Sequence, residues 1–145
     1  MRVDFLREPE LEFGTGKHID IRFGMMNYGP LDYASPLAPE NIRVGIVGTP
    51  RTIEGIQRWL ERCQKGITAK PSTHPNLFPR FPGFGTDTIF QASLVTDSQL
   101  HRSIFESEFE QLASNSSTDQ SIRSAAQMFL TELEYLAHNT NANVL

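Results

Sequence analysis

Residues 14–18, GTGKH, look like the end of a phosphate-gripping loop, so phosphate chemistry is the first to test. A P-loop reads G-x-x-x-x-G-K-[ST]: its backbone N–H groups surround the phosphates, its lysine reaches the outer ones and its hydroxyl holds Mg²⁺. Counting from Gly16-Lys17 puts the first glycine at position 11 and the hydroxyl at 18, where the chain has Leu11 and His18. The motif fails at both ends. His18, His74, His101 and His138 are far apart and have no cysteine or carboxylate at ligand spacing, so no metal site is expected. Cys63 is the single cysteine, which excludes an internal disulfide, and it stands at an apolar helical position that suits the core better than a nucleophile. No G-x-S-x-G or Cys/His motif is present, and no cofactor is expected.

The remaining chemistry lies in the distribution of charge. The net charge is −4, yet residues 43–80 hold seven basic and two acidic residues, whereas residues 81–145 hold two basic and eight acidic ones. Affinity for phosphates follows the local field rather than the total, so the middle third suits a phosphate backbone. A solvated helix face beside an acidic tail fits the same counts. The candidate contacts are Thr49, Arg51, Arg58, Arg62, Lys65, Lys70 and Arg80. Arg80, between Phe78 and Phe81 in a proline-fixed loop, suits stacking or backbone contact with a single strand, and core packing of the same aromatics fits as well.

These residues need elements to position them. RVGIVG, residues 43–48, reads as a buried parallel strand; Thr49 then stands at N-cap and Pro50 at the first helical position. Ile53, Ile56, Leu60 and Cys63 follow at helical spacing to residue 63 or 65, and Gly66 is placed to end the helix. Strand, turn and amphipathic helix open an α/β unit. GIVGTP before a helix also resembles a nucleotide site in outline, but it lacks G-x-G-x-x-G.

Around that unit, residues 1–30 alternate β-prone pieces (VDFL, LEF, IDIRF) with glycines and read as short strands and turns, followed by a proline-rich connector. Residues 70–87 form an ordered loop rich in proline and phenylalanine. TIFQASLV is expected to be a strand. Asp97 is expected to cap a helix carrying Leu100, Ile104, Phe105, Phe109 and Leu112, with a break over residues 114–119. Ser117 and Gln120 offer a capping box for a last helix whose apolar residues are Ile122, Ala125, Ala126, Phe129, Leu133 and Leu136. Val144-Leu145 then looks like the first step of another parallel strand, and we expect the front part of a larger folding unit. The expected fold class is α/β, a Rossmann-like partial parallel sheet flanked by helices and preceded by short N-terminal strands. No run of ~18 apolar residues or signal-peptide pattern is present, so no membrane partner is expected and the cytoplasm is the default location.

The order EPELEFGTGKHIDIRFGMMNYGPLD, then IRVGIVGTPRTIEGIQRWLERCQKGI, then LFPRFPGFG resembles the N-terminal portion of short prokaryotic Argonaute proteins over roughly residues 5 to 100. The resemblance implies a strand-and-turn segment and connector over residues 1–35 and the N-terminal part of a MID-like α/β domain over 36–145. It also implies a non-catalytic role in defence against invading DNA, with guide RNA and target DNA, an effector subunit and the remaining MID–PIWI portion, in the same or a separate chain, as partners. In that family the residues that grip the guide 5′-phosphate and the slicer tetrad of active members fall after the strand expected near Val144, so no residue here inherits those roles. The alternatives from other classes are a Rossmann-like nucleotide-binding enzyme subunit and a protein-interaction module without nucleic-acid binding.

Overall fold

The computed structural model describes residues 6–114 and 117–145; most of VDFL and the middle of the break at 114–119 lie outside the described residues. It is α/β, with short parallel strand pairs flanked by helices and preceded by a short N-terminal hairpin. Two compact units divide the chain, Met1–Glu40 with Arg62–Ser93 and Asn41–Glu61 with Leu94–Leu145.

In the first unit, β1 (Leu11–Glu12) and β2 (Lys17–His18) pair antiparallel, Leu11 opposite His18 and Glu12 opposite Lys17. The IDIRF strand expected next is instead the start of a helix, α1 (Ile21–Tyr28). Asp20 is the reason: its Oδ1 accepts the N–H groups of Arg22 (2.8 Å) and Phe23 (2.9 Å), which nucleates the first turn. Those backbone donors, Phe23 first, and then the Arg22 guanidinium hold the Asp20 carboxyl below the usual carboxylate value. Gly24 lets α1 lie directly on buried Phe13, because a Cβ there would stand 2.1 Å from the Phe13 ring.

The proline-rich loop of this unit is ordered. Ile67 and Phe81 exchange both backbone hydrogen bonds at 2.9 Å, and the Phe84 N–H donates to the Cys63 carbonyl. Phe81, Phe84 and Phe90 cluster with ring centroids 4.7–5.8 Å apart. Phe78 stays outside that cluster and is exposed. Gly66 and Gly83, both at positive φ, pass each other back to back where the long helix ends.

In the second unit the expected strand 43–48 is divided into β3 (Asn41–Arg43) and β4 (Ile46–Gly48). β3 pairs with β5 (Ser93–Val95), and the bonds Ser93 N–H to Glu40 O and Val44 N–H to Val95 O advance the same way along both strands, so the pair is parallel. β4 pairs parallel with β6 (His101–Ser103), Ile46 opposite His101 and Gly48 opposite Ser103. On the other edge the Gly45 N–H donates to Val144 O at 2.7 Å within a parallel bridge between Val44 and Val144. Residues 93–103 and Val144 therefore flank residues 41–48 on opposite edges.

Helix α2 (Pro50–Lys65) leaves β4 as the sequence predicts, with the Thr52 N–H donating to Thr49 Oγ1. TIFQASLV is a strand only at its end, since Gln91 adopts φ +48° and breaks the run. The helix expected from Asp97 is replaced by a 3-10 turn at Ser98–Leu100, β6, and then α3 (Glu106–Ala113). Pairing with β4 decides this: the Ile104 N–H donates to Gly48 O, and Leu100 and Ile104 are buried beside Ile46 and Ile53 in the core. Glu108 begins α3 by accepting the Phe105 N–H. The last helix is α4 (Thr118–Asn139). Ser117 stands at its N-cap without a side-chain cap bond, so the expected capping box is absent; Ser121 instead donates to Leu112 O and ties α4 to α3. Phe109 and Phe129 meet between these helices, and Leu136 is fully buried, while Ile122 points outward against expectation.

Candidate nucleic-acid interface

The amides of the opening glycine loop are already committed. The Gly14 N–H donates to Gly29 O (3.2 Å) and the Thr15 N–H to Tyr28 O (3.0 Å), so two donors that a phosphate cradle would need are bound to the end of α1. The start of α2 is similar. Pro50 has no N–H, and Thr49 Oγ1 takes the Thr52 N–H while bonding the Thr52 hydroxyl. Thr49 thus serves as an N-cap, and it occupies donors that a nucleotide phosphate at this helix end would use.

Helix α2 assembles four of the other candidates. At about 100° per residue, Arg51, Arg58, Arg62 and Lys65 fall within an arc of roughly 60°, and along the axis they span about 21 Å. Ile53 and Cys63 are buried, Gln57 and Leu60 are half-buried, and all four cations are exposed on the far side. Among the described residues only Arg58 of these approaches a carboxylate, Glu54 at 3.8 Å, and both side chains are about two-thirds exposed. Such a pair is worth little and yields readily to a phosphate.

Two features of this face were not read from the sequence. Trp59 is 58% exposed and borders the basic stripe, and Gly55 leaves bare backbone between Arg51, Arg58 and Trp59, with nothing within 4 Å of where its Cβ would be. Ile56, expected in the core, is exposed on the flank of Trp59. A signal was available only for Trp59, which falls about 40° outside the arc of Ile53, Leu60 and Cys63; Ile56 falls inside that arc, so its exposure could not be read from spacing. A row of cations beside an exposed indole is the combination that single-stranded nucleic acid meets, with phosphates on the cations and a base on the ring.

Lys70 and Arg80 lie on the loop of the first unit. The Lys70 ammonium sits 5.6 Å from the ring centroid of exposed Phe78, a cation–π contact, and Arg80 is exposed two residues further on. Arg22 holds this loop by donating to Leu77 O at 2.9 Å. Cys63 is buried, which pushes its thiol up, and the Arg62 charge only partly offsets this.

Among the described residues no group of three or more His, Cys, Asp or Glu is arranged to hold a metal, and no helix is long and apolar enough to cross a membrane. No protein-family model matches the chain, and no curated protein matches it either.

Proposed function

We propose that this chain is the non-catalytic front portion of a short prokaryotic Argonaute, acting in the cytoplasm with guide RNA, target DNA, an effector subunit and the rest of the MID–PIWI module. In this reading α2 lies along a phosphate backbone. The family assignment rests on the resemblance of the three sequence segments. The binding assignment rests on one observation, the alignment of Arg51, Arg58, Arg62 and Lys65 on a single exposed face of α2.

The test replaces Arg62 and Lys65 by Ala in the complete complex and measures single-stranded RNA and DNA binding across a salt series. Each lost phosphate contact lowers the log–log salt slope by about 0.7 for single strands and 0.9 for duplex, so the double variant should lose between about one and two units. Sequence preference should not change, because phosphate contacts carry none. An unchanged slope in a folded variant overturns the assignment of this face to nucleic acid and leaves α2 as a solvated surface.

A further inference from the structure

A second cationic surface lies inside the second unit, where β6 begins and α4 ends. It is a cleft of about 660 Å³ lined by Arg43, His101, Arg102, Tyr135 and His138 among others. Its volume falls in the range of small-molecule sites, roughly 300–1,000 Å³.

The backbone of Arg43 is fixed by three hydrogen bonds to the segment after α4. Its N–H donates to Asn143 Oδ1 (2.9 Å), and its carbonyl accepts from the N–H groups of Asn143 (2.8 Å) and Val144 (3.2 Å). Its side chain is far less satisfied. The nearest carboxylate, that of exposed Asp97, stands 3.7 Å from Nη2, well beyond the roughly 2.7–2.9 Å of a charge-assisted hydrogen bond. Nε of Arg43 and Nε2 of His101 are both buried without a partner. Buried polar atoms of native proteins are ordinarily bonded to protein, water or an ion; these two are closed to solvent on residues that line the cleft, so each is a donor that a turn of its side chain would offer to a ligand there.

Arg102 differs, because its Nε donates to the Glu132 carboxylate and its guanidinium covers the Tyr135 ring at 4.1 Å. It is neutralised and acts as wall. His138 donates Nδ1–H to Glu134 O at 2.8 Å, which orients the ring and leaves Nε2 open. The groups left for a ligand are therefore one loosely paired guanidinium, the His101 imidazole and the exposed His138 imidazole, from three different elements.

We propose that this cleft binds the phosphate group of a small phosphorylated molecule. A tetrahedral oxyanion offers acceptors in several directions, which fits donors supplied by three separate elements, β3, β6 and α4, better than a planar carboxylate does. Arg43 gives its Nε–H, and His101 and His138 give Nε2–H in the charge state or tautomer that carries a proton there. A cation is disfavoured by the Arg43 charge. Entry requires the Arg43 and His101 side chains to turn outward by a rotamer adjustment, since both orphan atoms are closed to solvent in the free chain. The inference is independent of the α2 reading and shares no residue with it.

The experiment is a titration of the full chain with inorganic phosphate, and then with glucose 6-phosphate, followed by the Nε–H signals of arginine and the imidazole signals of histidine in NMR. The Arg43 signal is assigned by its loss in Arg43→Lys. We expect a saturable shift of the Arg43 and His101 signals with a dissociation constant in the millimolar range for inorganic phosphate, tighter for the sugar phosphate. Removing a hydrogen bond to a charged group in His101→Leu should weaken it about tenfold or more. Sodium chloride at matched ionic strength and sodium acetate should leave the signals in place. Absence of a saturable shift in the wild-type chain overturns the proposal without reference to any variant. An equal response to acetate overturns the phosphate class, and zinc binding at His101 and His138 in preference to phosphate overturns the anion assignment. A response to a 5′-phosphorylated oligonucleotide but not to either small phosphate assigns the cleft to nucleic acid and overturns the small-molecule source.

Discussion

Replacing Gly55 by Ala should make this protein more stable, which is unusual for a substitution at an interior helix position next to a candidate binding face. Gly55 lies six residues inside α2, and a Cβ built on its backbone meets nothing within 4 Å. No packing cost therefore opposes the intrinsic gain. Glycine is about 0.8–1.0 kcal/mol less favourable than alanine in a helix interior, chiefly because the unfolded chain loses more freedom at glycine. The expected gain is the full amount, which for a chain of this size corresponds to a rise of roughly 2–4 °C in Tm. The assay is urea unfolding followed by helical circular dichroism and by the fluorescence of Trp59, the one tryptophan in the chain, which stands one helical turn beyond the substitution. The midpoint should rise with the slope unchanged. Nucleic-acid affinity should stay the same, because the guanidinium and ammonium groups of the stripe reach further from the helix than a methyl does. A loss of stability would refute the reasoning by showing that something occupies the space above Gly55. A stability gain accompanied by weaker binding would show that a ligand backbone approaches the bare helix at that point.

Other substitutions and conditions test the frame that holds α2. Gly83→Ala should cost at least about 2 kcal/mol, because its backbone is at φ +89° and a Cβ would stand 2.5 Å from Gln64 O and 2.7 Å from Gly66 N; denaturant midpoints at constant slope measure this, and a neutral result would mean the crossing of the two glycines is wrong. Cys63 should react with a thiol reagent far more slowly than in the urea-unfolded chain at pH 7–8, and equal rates would contradict its burial. Its folded-state value is raised, so its contribution to stability is complete below the unfolded thiol value and is lost as pH rises through the higher folded one.

The extent of helix α2 was legible because its local signals agreed, Thr49 and Pro50 at its start, Ile53, Leu60 and Cys63 on one face, Gly66 at its end, although Ile56, read into the same face, is exposed. Residues 97–113 were not legible. Leu100 and Ile104 are spaced for one face of a helix, and the decision to make a turn and a strand instead comes from residues fifty positions away, where β4 offers parallel pairing and Gly48 O accepts the Ile104 N–H. Residues 19–23 failed for the opposite reason. Their alternation is strand-like, but a single carboxylate, Asp20, captures two successive amides and the local cap outweighs the pattern. Of the candidate interface, the cations of α2 could be placed on one face by counting, whereas Trp59 beside them and the cation–π contact of Lys70 with Phe78 depend on which face the core takes and on how the proline-rich loop turns.

Neighbours give the cations of residues 43–80 different surroundings. Arg43 is held by Asn143 and Val144 and faces a cleft of the second unit; Lys70 sits over Phe78; Arg58 is loosely paired with Glu54. The four cations of the α2 stripe share one exposed helix face that a strand can follow. This bounds the electrostatics: four phosphate contacts give a log–log salt slope of about 3 for single strands and between 3 and 4 for duplex. A measured slope within that bound, halved by removing Arg62 and Lys65, is accounted for by α2 alone. A steeper slope that survives the double variant requires further contacts, and Lys70 and Arg80, exposed on an ordered loop beside Phe78, are the residues whose removal would then have to lower it.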